Sequence, residues 1–240
     1  MKELIPVLVL ATACACTKPV AKSPDSHSGH AVMMIPGVPH GICQSPVNIQ
    51  TAAANASSHT VAIHYNAKDE RVANLGHTVQ VNFGGGGNIE FDGKRYLFKQ
   101  FHFHTPSEHW LDGKSYPLEM HLVHTLDSND EVYFVFSVLF QDGAADPLLA
   151  SFLDAIPDAE GESTKLSDGK VNVATLFADN PGYYQYRGSL TTAPYTETVQ
   201  WAIVQQVRTA APEQVQAIMA VEGNNAREVQ PLYGRPVEVN

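Results

Sequence analysis

The stretch Phe98–His124, FKQFHFHTPSEHWLDGKSYPLEMHLVH, decides how the rest of the chain is read. In its first half Phe98, Gln100, His102 and His104 alternate with Lys99, Phe101 and Phe103. Successive residues of a strand point to opposite faces, so this alternation predicts one face carrying both histidines and another anchored by Phe101 and Phe103. Asp112-Gly113 is a turn signal, and Leu118–His124 beyond it alternates again, with Glu119, His121 and Val123 sharing a face. A hairpin-like return sets His121 beside His102 and His104. Three neutral imidazoles converging on a rigid sheet suit zinc, which takes nitrogen ligands tetrahedrally. With three protein ligands the fourth position stays open for water, which is the arrangement of a catalytic rather than a structural ion.

At 240 residues, 44% hydrophobic and 17% charged, the chain suits one domain with a large core, a size that single all-β domains reach. Its formal net charge of −10 argues against a nucleic-acid partner, which needs a basic stripe. Nothing in the composition sets an oligomeric state.

Residues 1–16, MKELIPVLVLATACAC, combine a short charged start, an apolar run from Leu4 to Ala13 and small residues around two cysteines. This is the pattern of an export signal, too short to span a bilayer. Ala11-Thr12-Ala13-Cys14 resembles the lipobox of bacterial lipoproteins, in which the cysteine is lipidated and becomes the mature N-terminus; simple cleavage after Ala13 or Ala15 is the alternative. Either route puts the folded body outside the cytoplasm, in a bacterial periplasm, on a membrane through lipidated Cys14, or secreted. Residues 17–37, rich in Ser, Pro and Gly and carrying His27 and His30, have neither helical nor strand periodicity and read as a tether. The folded domain is expected over 38–240, with Cys43 as its only cysteine and so no internal disulfide unless a signal cysteine survives.

Within that domain Val61–Tyr65, Thr78–Phe83 and Ile89–Phe91 read as short strands, and Gly84–Gly87 as a turn lacking the lysine and following helix of a phosphate loop. Val132–Phe140 is a nearly continuous apolar run, expected as a buried central strand next to the histidine strands. Asp146–Ile156 places Leu148, Leu149, Phe152, Leu153 and Ile156 at helical spacing. Tyr183–Thr192 leads into a strand over Val199–Val204, and Pro212–Met219 reads as a helix with Pro212 in its first turn. The sum is a mainly β, α+β fold: one large mixed, mostly antiparallel sheet with small peripheral helices.

Five separated motifs then occur in a telling order: QSPVNI (44–49), QFHFH (100–104), SEHW (107–110), EMHLVH (119–124) and GSLTT (188–192). Together they resemble the α-class carbonic anhydrases, particularly the secreted bacterial ones, over residues 43–235. The resemblance implies zinc at the base of a conical cleft and reversible hydration of carbon dioxide to bicarbonate and a proton, by attack of zinc-bound hydroxide. It implies that His102, His104 and His121 are the zinc ligands, with Gln100 and Glu119 accepting from the first and third imidazoles. Thr191 is similar to the threonine that takes the hydroxide's hydrogen bond and donates its own to Glu108, and its amide and Thr192 to the contacts for bicarbonate. Val123, Val135, Leu190, Val199 and Trp201 match the apolar wall that an uncharged substrate needs. His77, in LGHTV, resembles the family's proton shuttle, with His59 and His64 as competing histidines. His109, His124, Tyr186 and Arg227 resemble buried structural groups.

The chain also departs from that pattern. HAVMMIPGVPHGIC replaces the aromatic-rich segment that usually precedes QSP, and Leu75 stands where a polar residue that orders water is common. Cys43 matches one half of the disulfide of secreted bacterial members, but Tyr195 occupies the other half's place. A catalytically silent binding module and a zinc esterase are the competing functions. Retention of all three histidines argues against the first, and the absence of recognisable residues for a larger substrate argues against the second.

Overall fold

The computed structural model describes residues 41–240 apart from Asp69, so the proposed signal and tether lie outside the described residues. Its strands are β1 (Asn48–Ile49), β2 (Asn55–Ala56), β3 (Val61–Lys68), β4 (Arg71–Asn74), β5 (Val79–Asn82), β6 (Gly85–Phe91), β7 (Lys94–His104) and β8 (Trp110–Leu111). There follow β9 (Leu118–Leu126), β10 (Asn129–Asp142), β11 (Ser163–Lys165), β12 (Tyr183–Gly188), β13 (Val199–Val204), β14 (Arg208–Ala210) and β15 (Glu238–Val239). Helices α1 (Pro147–Ala150) and α2 (Pro212–Glu222) are peripheral.

Thirteen strands form one sheet in the order β11-β4-β5-β7-β9-β10-β13-β12-β15-β2, with β3 and β6 attached through β7 and β14 through β10; β1 and β8 pair separately. Parallel pairing is confined to β10 with β13 and β14, β15 with β2, and β1 with β8; the other ladders are antiparallel. The sheet is therefore mixed and mostly antiparallel. The two histidine strands are neighbours, and His102 faces His121 directly across the β7–β9 ladder.

Strand β10 is buried on both faces, which is why its sequence reads as one apolar run. Phe134, Phe136, Val138 and Phe140 enter the larger core, while Val135 and Leu139 enter a smaller one with Val199, Trp201, Ile203 and Tyr186. Each such fully buried side chain contributes roughly 1.5–3 kcal/mol relative to exposure. The smaller core lies on the side of the sheet that carries His121, whose ring stands 4.8 Å from that of Trp201.

Four local expectations are corrected. Strand β10 neighbours β9 but not β7, because β9 spends its other edge on β7 and the far side of β10 is taken by β13. The ladder register shifts between Phe98 and Gln100, and this extra residue moves Phe98 off the ligand face. Phe98 packs instead into the larger core against Phe83, Tyr65 and His124, with ring centroids 4.7, 5.1 and 5.1 Å away. Gly85–Gly87 belong to β6 rather than to a turn, and a Cβ on Gly87 would sit 3.0 Å from that of Phe98, so the missing side chain lets the strands close over the phenyl ring. Finally, 146–156 forms only the short α1, capped by Asp146 accepting from the Leu148 N–H at 2.8 Å, and a separate 3-10 turn over Leu153–Ala155.

Candidate metal centre

His102 and His104 project from β7, and His121 from β9, with ring centroids 4.6–5.3 Å apart. Each offers one nitrogen such that the three lie within 4.8 Å of one another. The tautomers are set by neighbours. Gln100 Oε1 accepts from His102 Nδ1 at 2.9 Å, which leaves Nε2 free, and Glu119 Oε1 accepts from His121 Nε2 at 2.7 Å, which leaves Nδ1 free. His104 meets the backbone of Asn225, and its Nε2 is buried 3.5 Å from Glu108 Oε2 without a well-formed hydrogen bond. A buried imidazole nitrogen with no partner is costly unless something fills the gap, and a divalent cation is what three converging, electron-rich nitrogens accept.

Electrostatics keep the three rings neutral. Burial, then repulsion from His121, pushes the His102 pKa down to about 3, and the same causes hold His104 well below its ordinary value. Burial also lowers His121, against an opposing pull from Glu119. Neutral imidazole is the form that binds metal, so protons do not compete for the site near neutral pH.

Glu119 is the node behind the rings. Burial alone would raise its pKa, but His109 and His121 hold it well below the usual carboxylate range. Oε1 accepts from His121 Nε2, His109 Nδ1 at 2.7 Å and Ser137 Oγ at 2.6 Å, and Oε2 from the N–H groups of Glu108 at 2.7 Å and His109 at 2.8 Å. His109, Glu119 and His121 also lie close enough together to hold a cation, but this saturation makes them a hydrogen-bond network instead. The chain continues from His109 Nε2 to Tyr186 Oη at 2.6 Å and on to Ser45 Oγ at 2.8 Å.

Glu108 lies at the other side of the histidines, with Oε2 3.5 Å from His104 Nε2. Its Oε1 accepts from the Arg227 N–H at 2.9 Å. Burial, then Glu119, raises its pKa well above normal, while the Arg227 amide and the Thr191 hydroxyl pull it back. Thr191 and Glu108 are thus brought together. Val123, Val135, Leu190, Val199 and Trp201 gather in the smaller core, and the Trp201 ring stands 4.8 Å from that of His121. Thr192 is exposed at the rim.

His77 is exposed in the loop joining β4 to β5, and its charge is felt by His102. Neither competitor sits there: His64 is exposed on β3, and His59 lies between Asp92 and Glu238. His124 is buried in the larger core between Tyr65 Oη at 2.8 Å and the Phe134 carbonyl at 3.1 Å. Tyr195 adopts φ 61° and its ring lies 3.8 Å from the Arg227 guanidinium, whose Nη1 donates to the Ser45 carbonyl at 2.7 Å. Sequence reasoning missed Ser137, Glu222 and Asn225. Ser137 alone left a signal, as a hydroxyl inside an apolar run.

A mixed sheet that converges three neutral imidazoles beside an apolar wall is the arrangement of a site that can hold one divalent cation next to a small molecule. Residues 35–240 match the family model described as eukaryotic-type carbonic anhydrase. The chain is 37% identical to a carbonic anhydrase of Pectobacterium atrosepticum over 193 residues, 80% of this chain and 78% of the relative. Among solved structures it resembles the Photobacterium profundum α-carbonic anhydrase, with a TM-score of 0.76 at 38% identity, covering 82% of this chain and 89% of that one. It also resembles the α-carbonic anhydrase of Thermovibrio ammonificans in complex with the inhibitor sulfanilamide, with a TM-score of 0.77 at 38% identity over 82% and 87% of the two chains. The chain belongs to the carbonic anhydrase family and is an enzyme of that family.

Proposed function

We propose that this chain hydrates carbon dioxide reversibly to bicarbonate and a proton, with Zn²⁺ held by His102 Nε2, His104 and His121 Nδ1 at the base of a conical cleft. The observation that carries this reading is the convergence of three imidazoles, each offering one nitrogen to a common point while Gln100 and Glu119 fix the second nitrogens of His102 and His121. Zinc there supplies a Lewis acid that makes hydroxide available from water at neutral pH, an effect for which carbonic anhydrase is itself the standard example.

The chain's own residues do the rest. Glu108 accepts from the Thr191 hydroxyl, so the Thr191 oxygen is left as an acceptor for the nucleophile's hydrogen and turns its lone pair toward substrate. The Thr191 amide and the Thr192 hydroxyl bind bicarbonate oxygens. Val123, Val135, Leu190, Val199 and Trp201 hold carbon dioxide against an apolar wall and exclude competing water. Glu119 and Gln100 orient two of the imidazoles. His77 carries the product proton from the site to buffer, as a solvent-exposed imidazole can. Comparing rates on carbon dioxide and on an activated ester tests the substrate: hydration is expected to be far faster, and ester cleavage as the faster reaction would overturn the reading.

We further propose that the folded domain begins near residue 38, after an export signal over 1–16 and a tether over 17–37, and that Cys14 is lipidated and anchors the enzyme at a bacterial membrane facing the periplasm. The apolar run before Cys14 and the polar stretch after it support this reading. Mass spectrometry of the mature protein is expected to find residue 14 as the N-terminus with added lipid mass. A different, unlipidated terminus contradicts it.

A further inference from the structure

The β5–β7 ladder pairs Asn82 with Gln100, Val81 with Phe101 and Gln80 with His102, and goes no further. Beyond that point residues 77–79 and 103–105 part like the arms of a fork. One arm carries His77 and the other carries His104. Each arm presents backbone groups that a longer ladder would have paired, and such groups need partners when buried.

Two side chains at the C-terminal end of α2 fill the fork. Asn225 Nδ2 donates to the carbonyls of His77 at 3.0 Å and Phe103 at 3.1 Å, while its Oδ1 accepts from the Thr105 N–H at 3.1 Å. Glu222, 6% exposed, accepts from the Val79 N–H at 3.3 Å through Oε2, which also lies 3.4 Å from Thr78 Oγ1. Its Oε1 lies 3.2 Å from Thr105 Oγ1. Thr78 Oγ1 reaches the Phe103 carbonyl at 3.1 Å, so that contact also crosses the fork.

Counting hydrogens shows what Glu222 must be. Thr105 Oγ1 has one hydrogen and two acceptors in reach, the Gly223 carbonyl at 2.6 Å and Glu222 Oε1 at 3.2 Å. Giving the hydrogen to the nearer carbonyl leaves Oε1 facing a hydroxyl oxygen, which is a hydrogen bond only when the carboxyl itself supplies the proton. A neutral acid donating to Thr105 and accepting from Val79 gives both carboxyl oxygens a partner, while the single Thr78 hydrogen goes to the nearer Phe103 carbonyl rather than to Oε2. A glutamine amide of the same shape makes both contacts equally well; an alanine leaves Val79 N–H buried and unpaired.

We propose that Glu222, with Asn225, is a positioning residue for proton transfer: the two side chains hold the fork at a fixed opening and so set where the His77 imidazole stands relative to the metal centre. This inference rests on the reading of His77 as the proton carrier. Through Glu222 it ties the end of a peripheral helix to the rate of one step without contact to substrate or to the reacting atoms, whereas the Asn225 backbone also meets His104.

The test compares His77→Ala, Glu222→Ala and Glu222→Gln in the full, metal-loaded chain, with hydration measured in dilute buffer and in concentrated imidazole. Glu222→Ala is expected to lower kcat in dilute buffer roughly fivefold or more, since small misplacements of a reacting group are costly. kcat/KM should stay within about twofold, because it reports the steps up to bicarbonate release, and imidazole should restore kcat. Glu222→Gln should retain the original kcat. In the metal-free protein, Glu222→Ala should speed hydrogen exchange at the Val79 amide and shift the His77 ring resonances, whereas Glu222→Gln should do neither. If His77→Ala lowers kcat but Glu222→Ala does not, or if Glu222→Ala lowers kcat and kcat/KM together, the positioning role is overturned and the His77 reading stands. If His77→Ala itself leaves kcat unchanged, both fall. Should Glu222→Ala fail to fold, Glu222→Asp, which keeps the acid but shortens its reach, carries the same expectations.

Discussion

His121 Nε2 and Glu119 Oε1 lie 2.7 Å apart, in a place where neither residue is more than 1% exposed. That one contact fixes which nitrogen of His121 faces the other two imidazoles, and it does so with an oxygen that also holds His109 and Ser137. Glu119→Gln replaces an acceptor-only carboxylate with an amide that offers hydrogens to donors already there. The metal affinity should fall about 10- to 100-fold, read by competition with a chelator on protein that circular dichroism shows to be folded. An unchanged affinity contradicts the orienting role.

Ser137→Ala tests the same node from behind. Its Oγ is 2.6 Å from Glu119 Oε1 in a fully buried position, and losing one donor to a buried carboxylate should cost about 1–3 kcal/mol of stability. Because His109, His121 and two backbone amides remain on Glu119, metal affinity should fall less than in Glu119→Gln. A denaturant titration showing no loss of stability would rule this donor out as a structural support.

The convergence of His102, His104 and His121 was legible because alternation along each strand is local and a return of the chain sets the strands side by side; the register His102 opposite His121 is set by the ladder itself, and Asp112-Gly113 turns the chain only between Leu111 and Lys114. Phe98 was not legible, since a bulge at Lys99 reverses the alternation without any sequence mark of its own. The helical spacing of 146–156 overstates α1 for a related reason: apolar periodicity tells which residues are buried, and a short helix plus a 3-10 turn buries Leu148, Leu149 and Phe152 just as well. Glu222 and Asn225 act through contacts more than a hundred residues away in sequence, at 143 and 148 positions for Val79 and His77. No pattern along the chain carries such information.

Burial raises the Glu222 pKa to about 7. An acid whose folded pKa exceeds its unfolded value, near 4.3 for glutamate, stabilises the fold fully below the unfolded pKa, and that contribution is lost as pH rises through the folded one. Stability should therefore decline between about pH 4 and 7, and Glu222→Gln should flatten this decline. Melting temperatures of both proteins across that range check it; parallel curves contradict the assignment.

Cys43 is a free thiol, half-buried, with its pKa raised first by burial and then by Glu197. Reductant should leave the melting temperature unchanged, since no disulfide joins the described residues, and alkylation near neutral pH should be slow because little thiolate is present. A clear loss of stability on reduction means that Cys43 has found a partner, in a second chain or in a cysteine retained from the signal.

The central claim is that three imidazoles on β7 and β9 hold the catalytic metal. It is tested most directly by measuring zinc content and stopped-flow carbon dioxide hydration on the same samples of the parent protein and His121→Ala. The parent should carry one zinc per chain and hydrate carbon dioxide, and His121→Ala should lose both, because two ligands do not hold an open tetrahedral site. Stoichiometric zinc with full hydration in His121→Ala would contradict the account.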